Sequence, residues 1–372
     1  MQIDYCRGGR AGCWNSLSTH DDVLSMRRIA LSFPCMPFDT IGQQAFEHNR
    51  TPGFAFLVCA GGSAVFAKGY GVADLEVEDS VTPETRFAIG SLTKQFTAAA
   101  ILLLYEEGRL SLEDRLEAYV PGMPNGNQIT LRMLLNQNSG LHNYPNTREH
   151  DWPRAGVIQP DQIIRILKTD EPDFAPGERW AYSNTNYAML AEVIAQVSGD
   201  SYSNFLSSRI FGPLSMAQSS NGFVAQAGTA TPYEWAANGF VATEPRLSLD
   251  LFYGAGSGVS TVQDLARWNE ALMSERLLTS ESLRELWTEG RLPSGKPMGY
   301  AMGFVPAILG SHRELWHNGY SPRAGGYCLH AIFPDDGLAV VVLANGSAQS
   351  FRGMPEKMVK DVLALYDQEG KA

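Results

Sequence analysis

Ser91 and Lys94, three residues apart, offer the first pairing able to do chemistry. They close the run Phe-Ala-Ile-Gly-Ser-Leu-Thr-Lys at 87–94, where Gly90 permits a sharp entry from an apolar segment into a helix that starts at Ser91. At i and i+3 the two side chains share one helix face. A serine hydroxyl attacks poorly until a neighbouring base takes its proton, and a lysine amine does so once burial or nearby charge lowers its pKa. Backbone N–H groups at the helix start would help to stabilise an oxyanion. Serine and lysine are common, so the spacing alone is weak evidence, and a serine cap followed by a solvated lysine is the commoner explanation.

A partner is therefore required, and three Tyr-x-Asn triplets compete for the place: Tyr144 with Asn146, Tyr182 with Asn184, and Tyr202 with Asn204. Tyr202 falls in a helical pattern beside Phe205 and Leu206 and reads as core. Tyr144 precedes Pro145 in a polar loop with no nearby apolar anchor. Tyr182 follows Pro176-Gly177-Glu178-Arg179-Trp180 and precedes a helical pattern over 187–198, a pinned loop that would hold its side chain rigidly. Tyr182 can relay a proton, and Asn184 can orient a substrate amide or the lysine. The alternative is a tyrosine packed at a lobe junction.

The third constellation is His317-Asn318-Gly319, after Trp316 on an expected strand. A glycine there lets a ligand approach the backbone, and the next N–H, that of Tyr320, would supply a second oxyanion donor. The imidazole would add positive charge or a hydrogen bond beside Tyr182, although a single strand histidine is more often structural. No HxxxH or HExxH pattern suggests a metal site. The glycine runs at 69–71 and 254–258 lack the strand–turn–helix setting and the following acidic residue of a dinucleotide loop, and no G-x-S-x-G elbow occurs. No cofactor is expected.

The elements that must hold these residues are legible at low resolution. Apolar runs at 54–60 and 63–70 flank Gly61-Gly62, and runs at 325–333 and 338–344 flank Pro334-Asp335-Asp336-Gly337, which predicts a hairpin near each end of the chain. Further strands are expected at 299–305 and 312–316. The middle reads as helices at 95–107 (stopped by Gly108), 131–137 (capped by Thr130), 187–198 (stopped by Gly199), 201–211 and 265–273, the last opened by Thr261 with Asp264. The fold class expected is α+β: an antiparallel sheet built from both chain ends and flanked by helices, with an inserted helical lobe. Residues 36–90 and 285–372 would form the sheet lobe and 91–284 the helical lobe, with the site in the groove between them. Residues 1–35 read as a poorly ordered N-terminal extension.

Composition sets outer limits. The chain has 372 residues, 44% hydrophobic and 19% charged, with a net charge of −11, which fits a globular protein and disfavours nucleic acid as a partner. Five irregularly spaced cysteines argue against a disulfide framework or a zinc knuckle, and Cys59 and Cys328 lie in apolar strand runs. No stretch reaches the ~18 apolar residues of a membrane span. Arg27-Arg28 before a short apolar run makes a weak leader, so the cytoplasm is favoured, with a periplasmic or secreted protein the alternative if the N-terminus is processed. The partner expected is a small-molecule or peptide substrate. Oligomeric state is left open.

In this order, Ser-Leu-Thr-Lys at 91–94, Tyr-Ser-Asn at 182–184 and His-Asn-Gly at 317–319 resemble the three motifs of the penicillin-recognising serine hydrolases. The resemblance extends over 38–346, including 134–141 (Leu-Leu-Asn-Gln-Asn-Ser-Gly-Leu), and is strongest to the group of class C β-lactamases, D-alanyl-D-alanine carboxypeptidases, D-aminopeptidases and β-lactamase-like esterases. It implies a β-lactamase/transpeptidase-like fold and an acyl-enzyme on Ser91. Lys94 and Tyr182 would move protons, in an order the sequence leaves open, and the N–H groups of Ser91 and Tyr320 would form the oxyanion hole. The subclass expected is a β-lactamase-like esterase or D-amino-acid peptidase. A class C β-lactamase or carboxypeptidase is the alternative, and a penicillin-sensing or degenerate binding module the non-enzymatic one. After His-x-Gly the family often carries Gly-x-x-Pro-Gly, where this chain has Tyr320-Ser321-Pro322-Arg323-Ala324. Arg323 is therefore a candidate for a substrate carboxylate, with a plain surface arginine equally compatible.

Overall fold

The computed structural model describes residues 35–144, 160–222, 229–237, 239–243, 249–320, 326–347 and 353–369. The extension read at 1–35 lies, apart from Cys35, outside the described residues, as does Arg323.

Helix α1 (Cys35–His48) leads into strands β1 (Gly53–Ala60) and β2 (Ser63–Asp74), with short strands β3 (Asp79–Ser80) and β4 (Phe87–Ala88) following. A single 3-10 turn, Gly90–Leu92, runs directly into α2 (Thr93–Glu106). Then come α3 (Leu131–Leu135), α4 (Pro160–Leu167), α5 (Asn184–Ser198) and α6 (Tyr202–Leu206), the last continued by a π turn over Ser207–Phe211. After β5 (Ser220–Asn221), β6 (Tyr233–Ala236), β7 (Gly239–Ala242) and β8 (Gly258–Ser260) come α7 (Val262–Leu272) and α8 (Ser280–Trp287). The chain returns to the sheet through β9 (Val305–Leu309), β10 (His312–Tyr320), β11 (Tyr327–Phe333) and β12 (Leu338–Ala344), and α9 (Met354–Glu369) follows.

Seven strands form the main sheet in the order β3-β2-β1-β12-β11-β10-β9, and every pair is antiparallel. The fold is thus α+β with both chain ends in one antiparallel sheet. Strand periodicity explains why its central strands are apolar on both faces. From β1, Phe54, Phe56 and Val58 face α1 and α9, whose Phe38, Ile41, Met358 and Val362 complete one core. Ala55, Leu57 and Cys59 face the opposite way, into the core that holds Phe96, Ile101 and Trp268. Gly61 and Gly62 have φ of 56° and 76°, the left-handed pair that a two-residue hairpin demands. Helix α7, inside the stretch assigned to the helical lobe, packs against β1, β2 and β12.

Several local expectations change: α2 begins at Thr93 after the turn that carries Ser91, α3 ends at Leu135, and the helix expected at 201–211 is α-helical only to Leu206. The strand predicted at 299–305 begins only at Val305; before it, Ala301 and Phe304 form an isolated bridge. Thr261 caps a helix that starts at Val262, its hydroxyl accepting from Asp264 N at 3.0 Å. Tyr144 does have an apolar anchor: its ring is fully buried in the larger core.

Candidate active site

Ser91 sits at the junction of three elements. Strand β8 pairs with β4 just before it, and Ile89 N donates to the Gly258 carbonyl at 2.9 Å. Gly90 then turns with φ +50°, and Thr93 closes the turn by donating its hydroxyl to the Gly90 carbonyl at 2.7 Å. From the other side the end of β10 presses onto this turn. A Cβ on Gly90 would lie 3.3 Å from both Gly319 Cα and Tyr320 N, and one on Gly319 would lie 2.1 Å from the Ile89 carbonyl oxygen. Two glycines therefore allow strand and turn to touch, which brings the Tyr320 amide beside the Ser91 turn.

Around the Ser91 hydroxyl the structure gathers the other predicted side chains. Lys94 Nζ lies 3.1 Å from Ser91 Oγ, and Tyr182 Oη donates to the same oxygen at 2.7 Å. Lys94 is fully buried and donates to Asn184 Oδ1 at 2.8 Å and to the Ala255 carbonyl at 2.6 Å. Burial pushes its amine well below the ordinary lysine range. Oxygen acceptors and the faces of Tyr182 and Tyr187, 4.7 and 5.6 Å away, favour the ammonium. None of these carries a full charge, and loss of water outweighs them. Burial likewise raises the Tyr182 phenol above its usual value, while its bond to Ser91 acts the other way.

His317 does not contact Tyr182 by hydrogen bond. Its Nδ1 faces the Asn318 carbonyl at 2.6 Å, so that nitrogen carries the proton, and Nε2 accepts from Tyr300 Oη at 3.2 Å. Burial, followed by the nearby Lys94 charge, lowers its pKa to about 3. The imidazole is neutral and cannot supply the positive charge considered from sequence. Tyr300 is buried at 6.4 Å, ring to ring, from Tyr182.

Three participants in this geometry went unread in the sequence. Gln137, at φ +64°, accepts from Ala181 N through its carbonyl and from Ser183 N through Oε1, each at 3.0 Å. One buried residue thus holds the amides on both sides of Tyr182. Its left-handed backbone, uncommon for glutamine, is a local signal only the structure displays. Tyr300 lies in the segment 299–305, where the sequence predicts a strand. The Ala255 carbonyl sits in the glycine run 254–258, which lacks the setting of a dinucleotide loop. A Cβ on Gly254 would lie 2.6 Å from Ala191 Cβ and from the Tyr187 carbonyl oxygen, so glycine is what lets this backbone reach Lys94.

Comparison with known proteins places the chain in a family. The profile of the Beta-lactamase family matches residues 38–362, and the chain belongs to that family. It is similar to the protein flp of Staphylococcus aureus (strain MW2), 28% identical over 318 residues, covering 82% of this chain and 62% of the relative. It is also similar to the D-aminopeptidase of Brucella ovis (strain ATCC 25840 / 63/290 / NCTC 10512), 30% identical over 305 residues, covering 80% and 57%. The chain thus spans about three fifths of the length of these curated relatives. Among solved structures, the octameric penicillin-binding protein homologue from Pyrococcus abyssi superposes with a TM-score of 0.76 at 26% identity, over 90% of this chain and 78% of that one. Among the described residues no helix is long and apolar enough to cross a membrane.

Proposed function

We propose that this protein is a serine hydrolase that cleaves an ester or amide through an acyl-Ser91 intermediate. One observation carries the reading: Ser91 Oγ stands between Lys94 Nζ at 3.1 Å and Tyr182 Oη at 2.7 Å, while the other two partners of Nζ are carbonyl oxygens that only accept. A neutral amine has two hydrogens and one lone pair. The hydrogens go to Asn184 Oδ1 and the Ala255 carbonyl, which leaves the lone pair aimed at the Ser91 hydroxyl. Lys94 is then the first base, and Tyr182, kept protonated by burial, is a hydrogen-bond donor and proton relay.

In this mechanism Lys94 takes the Ser91 proton as Oγ attacks the substrate carbonyl carbon, and the carbonyl electron pair moves to its oxygen. The N–H groups of Ser91 and Tyr320 receive that oxyanion. When the intermediate collapses, Tyr182 protonates the departing oxygen or nitrogen and the proton on Lys94 replaces it. Water then attacks the acyl-Ser91 ester by the same route in reverse, and the acid leaves. His317, neutral and held by Tyr300, shapes the wall beside Tyr182. Substrates are drawn from small esters or D-aminoacyl peptides, and the D-aminopeptidase relative supports the latter.

The test is a panel of p-nitrophenyl esters, D-aminoacyl anilides and a chromogenic cephalosporin, assayed with wild type and Ser91→Ala. Turnover of at least one substrate that vanishes in Ser91→Ala is expected. Turnover of none, or turnover that survives the substitution, overturns the proposal.

A further inference from the structure

We infer that Asn143 is a positioning residue whose side-chain carbonyl decides which end of the Asn184 amide faces Lys94. The inference rests on the acyl-transfer reading above, because the lone-pair direction of Lys94 depends on an acceptor, and not a donor, at Asn184. An asparagine amide has almost the same shape in either orientation, so only its neighbours select one. Here the selector is a single oxygen. Asn143 Oδ1 accepts from the Asn184 backbone N at 2.8 Å and from Asn184 Nδ2 at 3.1 Å. With Nδ2 committed to Asn143, Oδ1 is left to accept from Lys94 at 2.8 Å. Turned over, the Asn184 amide would set its oxygen against that of Asn143 on one side and, on the other, offer Lys94 an N–H that takes up the amine lone pair in place of the Ser91 hydroxyl.

Asn143 can act as a reference only if it is itself fixed, and the surrounding bonds fix it. The hydroxyls of Ser183 and Thr185 both donate to the His142 carbonyl, the former at 3.3 Å. Tyr144 N donates to Thr185 Oγ1 at 3.4 Å. His142 Nδ1 faces Asp173 Oδ1 at 2.7 Å, and the Tyr144 ring is fully buried. Residues 142–144 are therefore laced to 183–185 along their length. Asn143 also satisfies one of the open N–H groups at the start of α5. The competing triplet Tyr144-Pro145-Asn146 follows it directly in the chain, so the residue just before that triplet supports the Tyr182 triplet.

Two substitutions separate positioning from packing. Asn143→Ala removes the acceptor and frees the Asn184 amide to turn. Asn143→Asp keeps the acceptor, with a negative charge added one residue removed from Nζ. The groups facing Lys94 are Ser91, Asn184, the Ala255 carbonyl and the rings of Tyr182 and Tyr187, with the neutral His317 nearby. A carboxylate introduced there favours the ammonium and moves the acidic limb of the reaction to higher pH.

The experiment is the second-order rate of acylation by a fluorophosphonate probe, followed by intact mass across pH, with folding checked by circular dichroism. Asn143→Ala is expected to slow acylation about tenfold to a hundredfold, and Asn143→Asp to stay within about threefold of wild type at the plateau with its acidic limb shifted upward. Asn143→Ala reacting at the wild-type rate would overturn the inference. So would Asn143→Asp that is as slow as Asn143→Ala with its limb unmoved. If the alanine variant fails to fold, an unmoved limb in Asn143→Asp is enough to overturn it. A wild-type protein that takes no probe would instead refute the acyl-transfer reading itself.

Discussion

Gly319→Ala offers a perturbation whose size can be worked from the structure. The φ of Gly319 is not in the left-handed region, so alanine fits the strand backbone and only space is at issue. Its Cβ would lie 2.1 Å from the Ile89 carbonyl oxygen and 2.3 Å from Cys328 Sγ, where ordinary contact begins at 3.4 Å. The end of β10 and the turn carrying Ser91 must then separate by about 1.3 Å. That gap opens between Tyr320 N and Ser91, the two donors assigned to the oxyanion. A misplacement of ~1 Å costs on the order of 10²-fold in rate, while overpacking of this kind costs about 1–3 kcal/mol in stability. The expected result is a folded protein, with a modestly lowered Tm, whose kcat/KM on an activated ester falls about a hundredfold, mostly in kcat. Cys328→Ala in the same background removes the sulfur but leaves the Ile89 oxygen, so the double variant should remain impaired. Activity of Gly319→Ala within threefold of wild type would refute the reasoning that strand–turn contact sets the oxyanion donors.

Other outcomes follow from the same structure. Lys94→Met should lower kcat/KM about 10²- to 10⁴-fold, the range for loss of a general base, and an unchanged rate in a steady-state assay would move the base elsewhere. The proposed mechanism needs Lys94 as the free amine and burial lowers its pKa, so kcat/KM should fall as pH drops, along a limb below the ordinary lysine range; a pH–rate profile that instead rises toward acid contradicts a neutral Lys94. His312 bridges β10 to Asp336 at 2.9 Å and to Asp367 of α9 at 3.1 Å, and its pKa is raised, chiefly by the Asp336 bond. Its stabilisation is full below the unfolded value of about 6.5 and is lost as pH rises through the folded value. Urea midpoints of wild type and His312→Gln should therefore converge above neutrality, and a gap that persists or widens there would be the contrary result. Thr261→Ala should cost about 1–2 kcal/mol by removing the cap on Asp264 N, read as a shift in the denaturation midpoint.

Local physics was the part that the sequence carried well. Gly199 ends α5 at φ 75° as a glycine stop does, Thr130 caps α3 by accepting from Met133 N, and the glycine pair at 61–62 makes its hairpin. The three-residue spacing of Ser91 and Lys94 placed both on one face because a turn of helix dictates it. What the sequence withheld was long-range. Any residue supplies a carbonyl, so nothing marked Ala255 as the acceptor that orients Lys94 from 161 residues away. The glycines around it do not match a phosphate-binding pattern, and their use is close backbone approach. Gln137 and Asn143 act on the Tyr182 triplet across more than forty residues, and their amide side chains have no spacing rule that would announce it. Histidine charge was also out of reach, since burial of His317 is a property of the folded sheet edge.

The proposed nucleophile is the hydroxyl of Ser91, activated by a neutral Lys94. It is tested most directly by incubating the protein with a fluorophosphonate, measuring the intact mass and mapping the adduct by peptide fragmentation. One adduct is expected, located on Ser91, absent from Ser91→Ala and formed at least a hundredfold more slowly in Lys94→Met. An adduct on another residue, or one that survives Ser91→Ala, would contradict it.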